Sequence, residues 1–445
     1  RGGTGIFAGR LPLVFFTNMP TNSGMVQGSY AAVTRYSSDG TITSVDPALA
    51  SLAGPMITDV SEMISALNLP NTITPEQGVL PRDVNAIDPD FKMPQVWKSS
   101  LALDFNLPVS FPMSVTVEGI YTNTINGVML KNYNLEQPDN SWQRFSGPDD
   151  RYIYPDADEI TFTSKNAYVL ANTSKGWGAI GNITVKAEPV EALNLMAAYT
   201  YTESKEISGM PGSNAASAYN GLVTVNGPHL PTVQRSQYVV PGKAIASASY
   251  KIPWLNSTVK SATIVNVFYS GYSAGGYSFT YANDMNGDGY AADLIYIPAE
   301  KGEINFVSTA DENAFFEFMA QDDYLNNHKG EYAEANAARA PWVHRFDLRL
   351  AREYYLKIGD RTNTLQFSLD FLNFGNLLNS EWGVEKNMFE ANNGQILKYE
   401  GVDANNVPNF SMVKDADGNY LSKSYSTYYN YNQCWQLQVG VRYIF

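Results

Sequence analysis

Gln436-Leu437-Gln438-Val439-Gly440-Val441-Arg442-Tyr443-Ile444-Phe445 is the stretch on which the fold turns. Side chains of an extended strand alternate between two faces. Leu437, Val439, Val441, Tyr443 and Phe445 therefore share one face, and Gln436, Gln438, Gly440 and Arg442 share the other. Ile444 is the single exception. An apolar face backed by a polar one fits a strand standing between lipid and water. It fits an edge strand of a soluble sandwich as well, so the remaining sequence has to decide.

The chain contains no uninterrupted apolar run of the roughly 18 residues that a transmembrane helix needs. Of its 445 residues 44% are hydrophobic and 13% aromatic, with 29 Tyr and 21 Phe. Charged residues reach only 17%, below the usual quarter or so. Many tyrosines with few charges suit a transmembrane β-barrel, whose interfaces carry aromatic girdles and whose lipid face excludes ions. The rival is a Tyr-rich secreted β protein. A net charge of -14 argues against nucleic acid as a partner. The one cysteine, Cys434, excludes an intramolecular disulfide. Neither a Pro/Gly/Ser linker nor a repeat of fixed period divides the chain.

Alternation recurs. Val115, Val117 and Tyr121 oppose Thr116, Glu118 and Thr122; Ile183 and Val185 oppose Asn182, Thr184 and Lys186. Ala246, Ala248 and Tyr250 oppose Ser247, Ser249 and Lys251; Phe346, Leu348 and Leu350 oppose Arg345, Asp347 and Arg349; Leu365, Phe367 and Leu369 oppose Gln366, Ser368 and Asp370. Charges on the second face fit a watery or plugged lumen better than a dry sandwich core. Glu118, Lys186, Lys251, Arg345, Asp347, Arg349 and Asp370 are therefore expected to face the lumen. Connections alternate too. Those at 106–112, 188–192, 253–258 and 359–363 are short; those at 123–175, 203–243, 272–341 and 375–433 are long. Short periplasmic turns and long extracellular loops give this asymmetry, which a sandwich has no reason to show. The expectation is an all-β, antiparallel transmembrane barrel in the bacterial outer membrane, with membrane lipid as its first partner. Nine or ten strands follow Val96, so 96–445 forms barrel strands with extracellular loops. Residues 1–95 read as a strand end and a long loop, with a short helix opening near Val60.

Several blocks resemble a known family. Arg1-Gly2-Gly3-Thr4-Gly5-Ile6-Phe7-Ala8-Gly9-Arg10-Leu11-Pro12 is similar to a block of TonB-dependent receptors of the Oar-like type in Bacteroidota. Asp90–Trp97, Asn283–Gly289, Asp293–Pro298 and Asp370–Asn379 resemble further blocks in the same order. The C-terminal strand, with Val439, Val441, Tyr443 and Phe445, resembles the assembly signal of outer-membrane barrels. The resemblance implies a roughly 22-stranded barrel with an N-terminal plug and a TonB box that couples transport to the proton-motive force. Such a receptor takes up a bulky nutrient. None of those N-terminal elements is visible here, and Arg1–Phe7 has neither an apolar h-region nor a small-residue cleavage site. The chain is therefore expected to be the C-terminal part of such a barrel, meeting the TonB complex through the missing part. The alternative is a surface scaffold or secretion-associated barrel that docks partner proteins, a surface lipoprotein among them, through its loops.

The sharpest local motif is Asp284-x-Asn286-x-Asp288-Gly289, followed by Tyr290 and Asp293. Oxygen side chains at alternate positions, with Gly after the third, let a tight loop wrap a hard cation. Positions one, three, five and six match an EF-hand loop, with the Tyr290 carbonyl at seven. Position twelve is Ile295 rather than Glu, so Asp293 at ten would substitute. Calcium and a plain Asn/Asp/Gly turn both remain open. Asp415-Ala416-Asp417-Gly418-Asn419 is a weaker version. His229, His328 and His344 are far apart without paired cysteines, against a zinc or iron site. Asp149-Asp150 and Asp322-Asp323 read as solvated loop pairs, and no nucleophile or phosphate motif supports an enzyme. The loop aromatics Trp142, Phe145, Tyr152, Tyr154, Tyr219, Tyr425, Tyr428, Tyr429 and Tyr431 either pack on one another or bind a ligand. Residues 311–320 read as a short amphipathic helix, packed on its own loop or docking a partner.

Overall fold

The computed structural model describes residues 1–17, 34–37, 41–45, 59–66, 83–162, 166–255, 259–359 and 361–445, with single positions between 68 and 78. Ten strands form the wall. They are β1 (Gly2–Ala8), β2 (Gln95–Asn106), β3 (Met113–Asn132), β4 (Gly176–Ala187), β5 (Leu193–Glu206), β6 (Gly242–Trp254), β7 (Ser261–Ser273), β8 (Trp342–Ile358), β9 (Arg361–Leu372) and β10 (Gln436–Ile444). Each pairs antiparallel with the next in this order. The outer edges of β1 and β10 pair with nothing among the described residues.

Register fixes the faces, because directly paired residues of antiparallel strands project to the same side. Leu365 faces Tyr443, Phe367 faces Val441, Leu369 faces Val439 and Phe371 faces Leu437. The same face continues through Leu350 and Val265, and through Ala248 and Leu195. No described residue covers it: Leu101, Phe105, Phe346 and Leu369 are all exposed, and Val439 is 69% exposed. Aromatics concentrate at its two ends. Trp97, Tyr121, Tyr199, Tyr269 and Trp342 lie towards the long loops; Phe105, Trp254, Tyr354 and Tyr443 lie towards the short turns.

Thr4, Ser99 and Thr263 also stand on this face, but on β8 its two polar residues mark its limits. His344 stacks with Tyr269 and bonds its hydroxyl at 2.8 Å. Arg352 donates to Thr263 at 2.6 Å and lies over the rings of Trp254 and Tyr354. From His344 to Arg352 the strand rises ~26 Å at about 3.3 Å per residue, comparable with the ~25 Å apolar band of outer-membrane barrels.

Strand lengths differ from the sequence expectation in one place. β3 does not stop near Asn123 but runs 20 residues to Asn132. Beyond the wall it pairs with Asn166–Thr173, which in turn takes Asp83–Ile87 as a parallel neighbour. Most of 18–82, including the start of the helix expected near Val60, lies outside the described residues; Val60–Ala66 itself is helical.

Above the wall, the long connections fold into a dome with its own core. Phe279, Tyr281, Ile295, Ile297, Phe315, Phe318, Leu325, Met388, Leu397 and Phe410 are all buried in it, joined by Phe145 from the connection after β3. Short strand pairs tie it across the sequence: Thr280–Tyr281 runs parallel to Gln395–Val402, and Asn305–Phe306 parallel to Pro408–Met412. The helix expected at 311–320 spans Thr309–Gln321 and buries Phe315, Phe318 and Met319 in this core. Ser308 caps it, accepting from the Asp311 amide at 3.1 Å, as a helix N-terminus with free amides requires.

Candidate functional site

Two regions carry chemistry, the polar face of the wall and an acidic cluster in the dome. On the wall, Glu118 pairs with Asn182, Lys186 with Met196, Lys251 with Ile264, Arg345 with Ser270, Asp347 with Phe268, and Arg349 with Asn266 and Asp370. All seven therefore stand on the face opposite the uncovered apolar one. That face is mixed, since Ile120, Ile180, Met196, Ile264 and Phe268 share it.

Its charges are knitted along β6, β8 and β9. Arg349 reaches Asp370 at 3.2 Å and Gln366 at 3.2 Å. Gln366 donates to Glu353 at 2.9 Å, and Glu353 takes Lys251 at 2.9 Å and the Tyr355 hydroxyl at 2.7 Å. Asp347 accepts the Asn373 amide at 2.7 Å, and Arg345 donates to the Gly383 carbonyl at 3.0 Å, so both tie the wall to the dome. Sequence reasoning missed Glu353. Its partner Lys251 comes from a strand 102 positions away.

An uncovered apolar belt between two aromatic bands, with charges turned to the other side, is the outside of a membrane barrel. A family model described as "Outer membrane beta barrel domain" matches residues 1–402. The chain belongs to that family. No curated protein and no solved structure matches it. The barrel resides in the bacterial outer membrane, which is why its apolar face needs no protein partner.

Within this barrel's dome, the loop after β7 brings Asp284, Asp288 and Asp293 together, with one carboxylate oxygen from each lying within 4.8 Å of the others. Backbone amides hold the arrangement. Asp284 accepts from Gly287 at 2.8 Å and Gly289 at 2.7 Å; Asn286 accepts from Asp288 at 2.9 Å; Asp288 accepts from Tyr290 at 2.8 Å. Asp293 accepts the Met285 amide at 3.0 Å, closing the loop on itself. Gly287 and Gly289 sit at φ +82° and +90°, the region that glycine enters without steric cost. Tyr290 turns its ring towards Tyr219.

The cluster is electrostatically uncomfortable. Asp288 is pushed up to about 8 and Asp293 to about 7, each chiefly by burial. Neighbouring carboxylates add to both shifts, and Arg151, 3.8 Å from Asp293, pulls the latter back. Asn286 is fully buried, and its Nδ2 finds no acceptor; Oδ2 of Asp288 is buried with no donor. Asp415, by contrast, accepts from Asp417 and Asn419 in an exposed turn.

Asp149 corrects the expectation of a solvated pair. It is buried and bonds Arg151 at 2.8 and 2.9 Å, Tyr281 at 2.9 Å and Tyr332 at 3.0 Å. Arg151 also donates to the Leu294 carbonyl at 2.6 Å. Asp322 is buried too, capping Asp323–Asn327 and accepting from Ser424 at 2.5 Å. Trp142, Phe145, Tyr154 and Tyr219 pack inside the dome, whereas Tyr428, Tyr429 and Tyr431 stay exposed. The three histidines remain apart. His229 meets Gln137, His328 stacks on Tyr324 and His344 is at the wall.

Proposed function

We propose that this barrel is part of a TonB-dependent receptor of the Oar-like type, taking up a bulky nutrient across the outer membrane. The observation that carries the reading is the open, charged wall beneath a folded dome. A sheet edge in lipid leaves backbone groups unpaired, which the bilayer does not tolerate. The edges of β1 and β10, unpaired among the described residues, therefore call for further strands, and a wider barrel leaves room for a plug. Lys251, Glu353, Arg349 and Asp370 offer that plug ionic and hydrogen-bonding contacts on a face away from lipid. The resemblance of 1–12, 283–289 and 370–379 to receptor blocks supports the same reading.

The test is intact mass and peptide mapping of the protein from purified outer membranes, followed by capture on the periplasmic domain of TonB. A mass about twice that of these 445 residues, with plug peptides and TonB capture, is expected. A mass no greater than that of this chain, with no plug bound and no TonB capture, overturns it. A surface scaffold then leads, and the exposed Trp382, Phe389, Tyr428, Tyr429 and Tyr431 on the dome favour that second reading.

A further inference from the structure

The dome's acidic loop is more than a turn. Asn286 and Asp288 each keep a buried polar atom with no protein partner, and buried polar groups are nearly always satisfied by protein, water or an ion. The free oxygen of Asp288 calls for a positive partner, whereas the Asn286 amide nitrogen is a donor and calls for an acceptor such as a bound water. Three carboxylates converge, and the one cation paired near them among the described residues, Arg151, is already bonded in fork fashion to Asp149. Gly227, at φ +74°, presses against Oδ2 of Asp288, where a Cβ would collide with it, so position 227 offers that oxygen no side chain.

We propose that Asp284, Asn286, Asp288 and Asp293, with the Tyr290 carbonyl, bind a calcium ion that locks three extracellular loops together. The ligand set is all oxygen, which suits a hard cation. Carboxylate oxygens that all lie within 4.8 Å of one another can share one ion, and the loop's Asp-x-Asn-x-Asp-Gly spacing with a carbonyl at the seventh position is that of a calcium loop. Waters complete the coordination of a site that offers five protein oxygens.

The loops meeting here come from different parts of the chain. The Tyr154 amide, after β3, donates to the Asn286 carbonyl at 2.7 Å, and its hydroxyl donates to Asn226, after β5, at 2.8 Å. Thr224 donates to the Ala292 carbonyl and accepts from the Leu294 amide, on either side of Asp293. An ion at the cluster draws the three carboxyl groups together at this junction, and its removal leaves them without a shared partner where the loops join. Calcium thereby becomes a surface signal, since the dome is rigid where the ion is plentiful outside the cell and loose where it is not.

The receptor extracted whole from outer membranes, in detergent and dialysed against EGTA, provides the test. Terbium stands in for calcium, with Tyr154 and Tyr290 as sensitisers. One equivalent of sensitised terbium, displaced by calcium at a concentration at least tenfold below the magnesium needed, is expected. Asp288→Asn is expected to weaken binding at least tenfold. Gly227→Ala keeps every ligand and drives a methyl at Asp288, and should weaken it similarly while the wall stays heat-modifiable on gels. Calcium should slow proteolysis within 133–165, 207–241 and 274–341 several-fold. The unmodified protein alone can sink the idea: no saturable terbium signal, equal competition by magnesium, or loop cleavage indifferent to EGTA would each overturn it.

Discussion

Val439 on the wall and Phe279 in the dome are both apolar, yet the protein treats them in opposite ways. Val439 is 69% exposed beside its strand partner Leu369, whereas Phe279 is fully buried with its ring against Phe318 and Tyr324. Throughout the wall, specificity comes from backbone register and from an outside solvent that is itself apolar. In the dome, as in a water-soluble domain, it comes from packing and from buried polar groups that must find partners. The two halves should therefore fail in different ways.

Arg151→Met is expected to give the largest effect and to confine it to the dome. It strands Asp149 and leaves Asp293 without its nearby positive charge, and breaking a buried pair from one side costs about 3–5 kcal/mol. Limited proteolysis and hydrogen exchange should show the loops opening while the wall keeps its resistance to SDS. Adding Asp149→Asn should restore part of the loss by removing the stranded charge. A wall that collapses together with the dome would break the comparison.

Leu348→Arg should do the reverse, injuring the wall and sparing the dome. Leu348 lies on the lipid face between Val267 and Phe371, where an arginine near the bilayer centre costs about 2–4 kcal/mol. Ser249→Arg, on the opposite face beside Asn266 and Asn194, should cost less than about 1 kcal/mol, because a side chain there has polar neighbours and faces away from lipid. Urea unfolding of the protein in lipid vesicles measures both, and equal costs would mean that the two faces do not differ in solvent.

How far each half was legible in the sequence follows the same division. The wall is written in local alternation, so Glu118, Lys186 and Arg349 could be assigned to a face without knowing any partner. The end of β3 could not, because past Asn123 its pairing changes from a wall strand to Asn166–Thr173 while the alternation carries no mark of the change. The acidic loop was legible from the spacing of Asp284, Asn286 and Asp288. The surroundings that constrain it, Tyr154 and Gly227, were not. Asp149 was misread for that reason. Its neighbour Arg151 was in view, but Tyr281 and Tyr332, which enclose the pair, lie 132 and 183 positions away.

The smallest expected effect on stability, at Phe445, separates folding from assembly. Its side chain is 86% exposed and its one ring contact is Tyr443, at 6.1 Å between centroids. Substitution by Ser removes little buried area and breaks no side-chain hydrogen bond, so the unfolding free energy of barrels already in membranes should stay within about 0.5 kcal/mol. If the terminal residues Val439, Val441, Tyr443 and Phe445 serve as a recognition signal, Phe445→Ser should nevertheless lower the assembled amount several-fold in cells. Quantitative blotting of heat-modifiable barrel, beside the unfolding curve, measures the two quantities separately. Loss of both together would place Phe445 in the stability of the wall. Loss of yield alone would mean that the apolar face is read by assembly factors before lipid covers it.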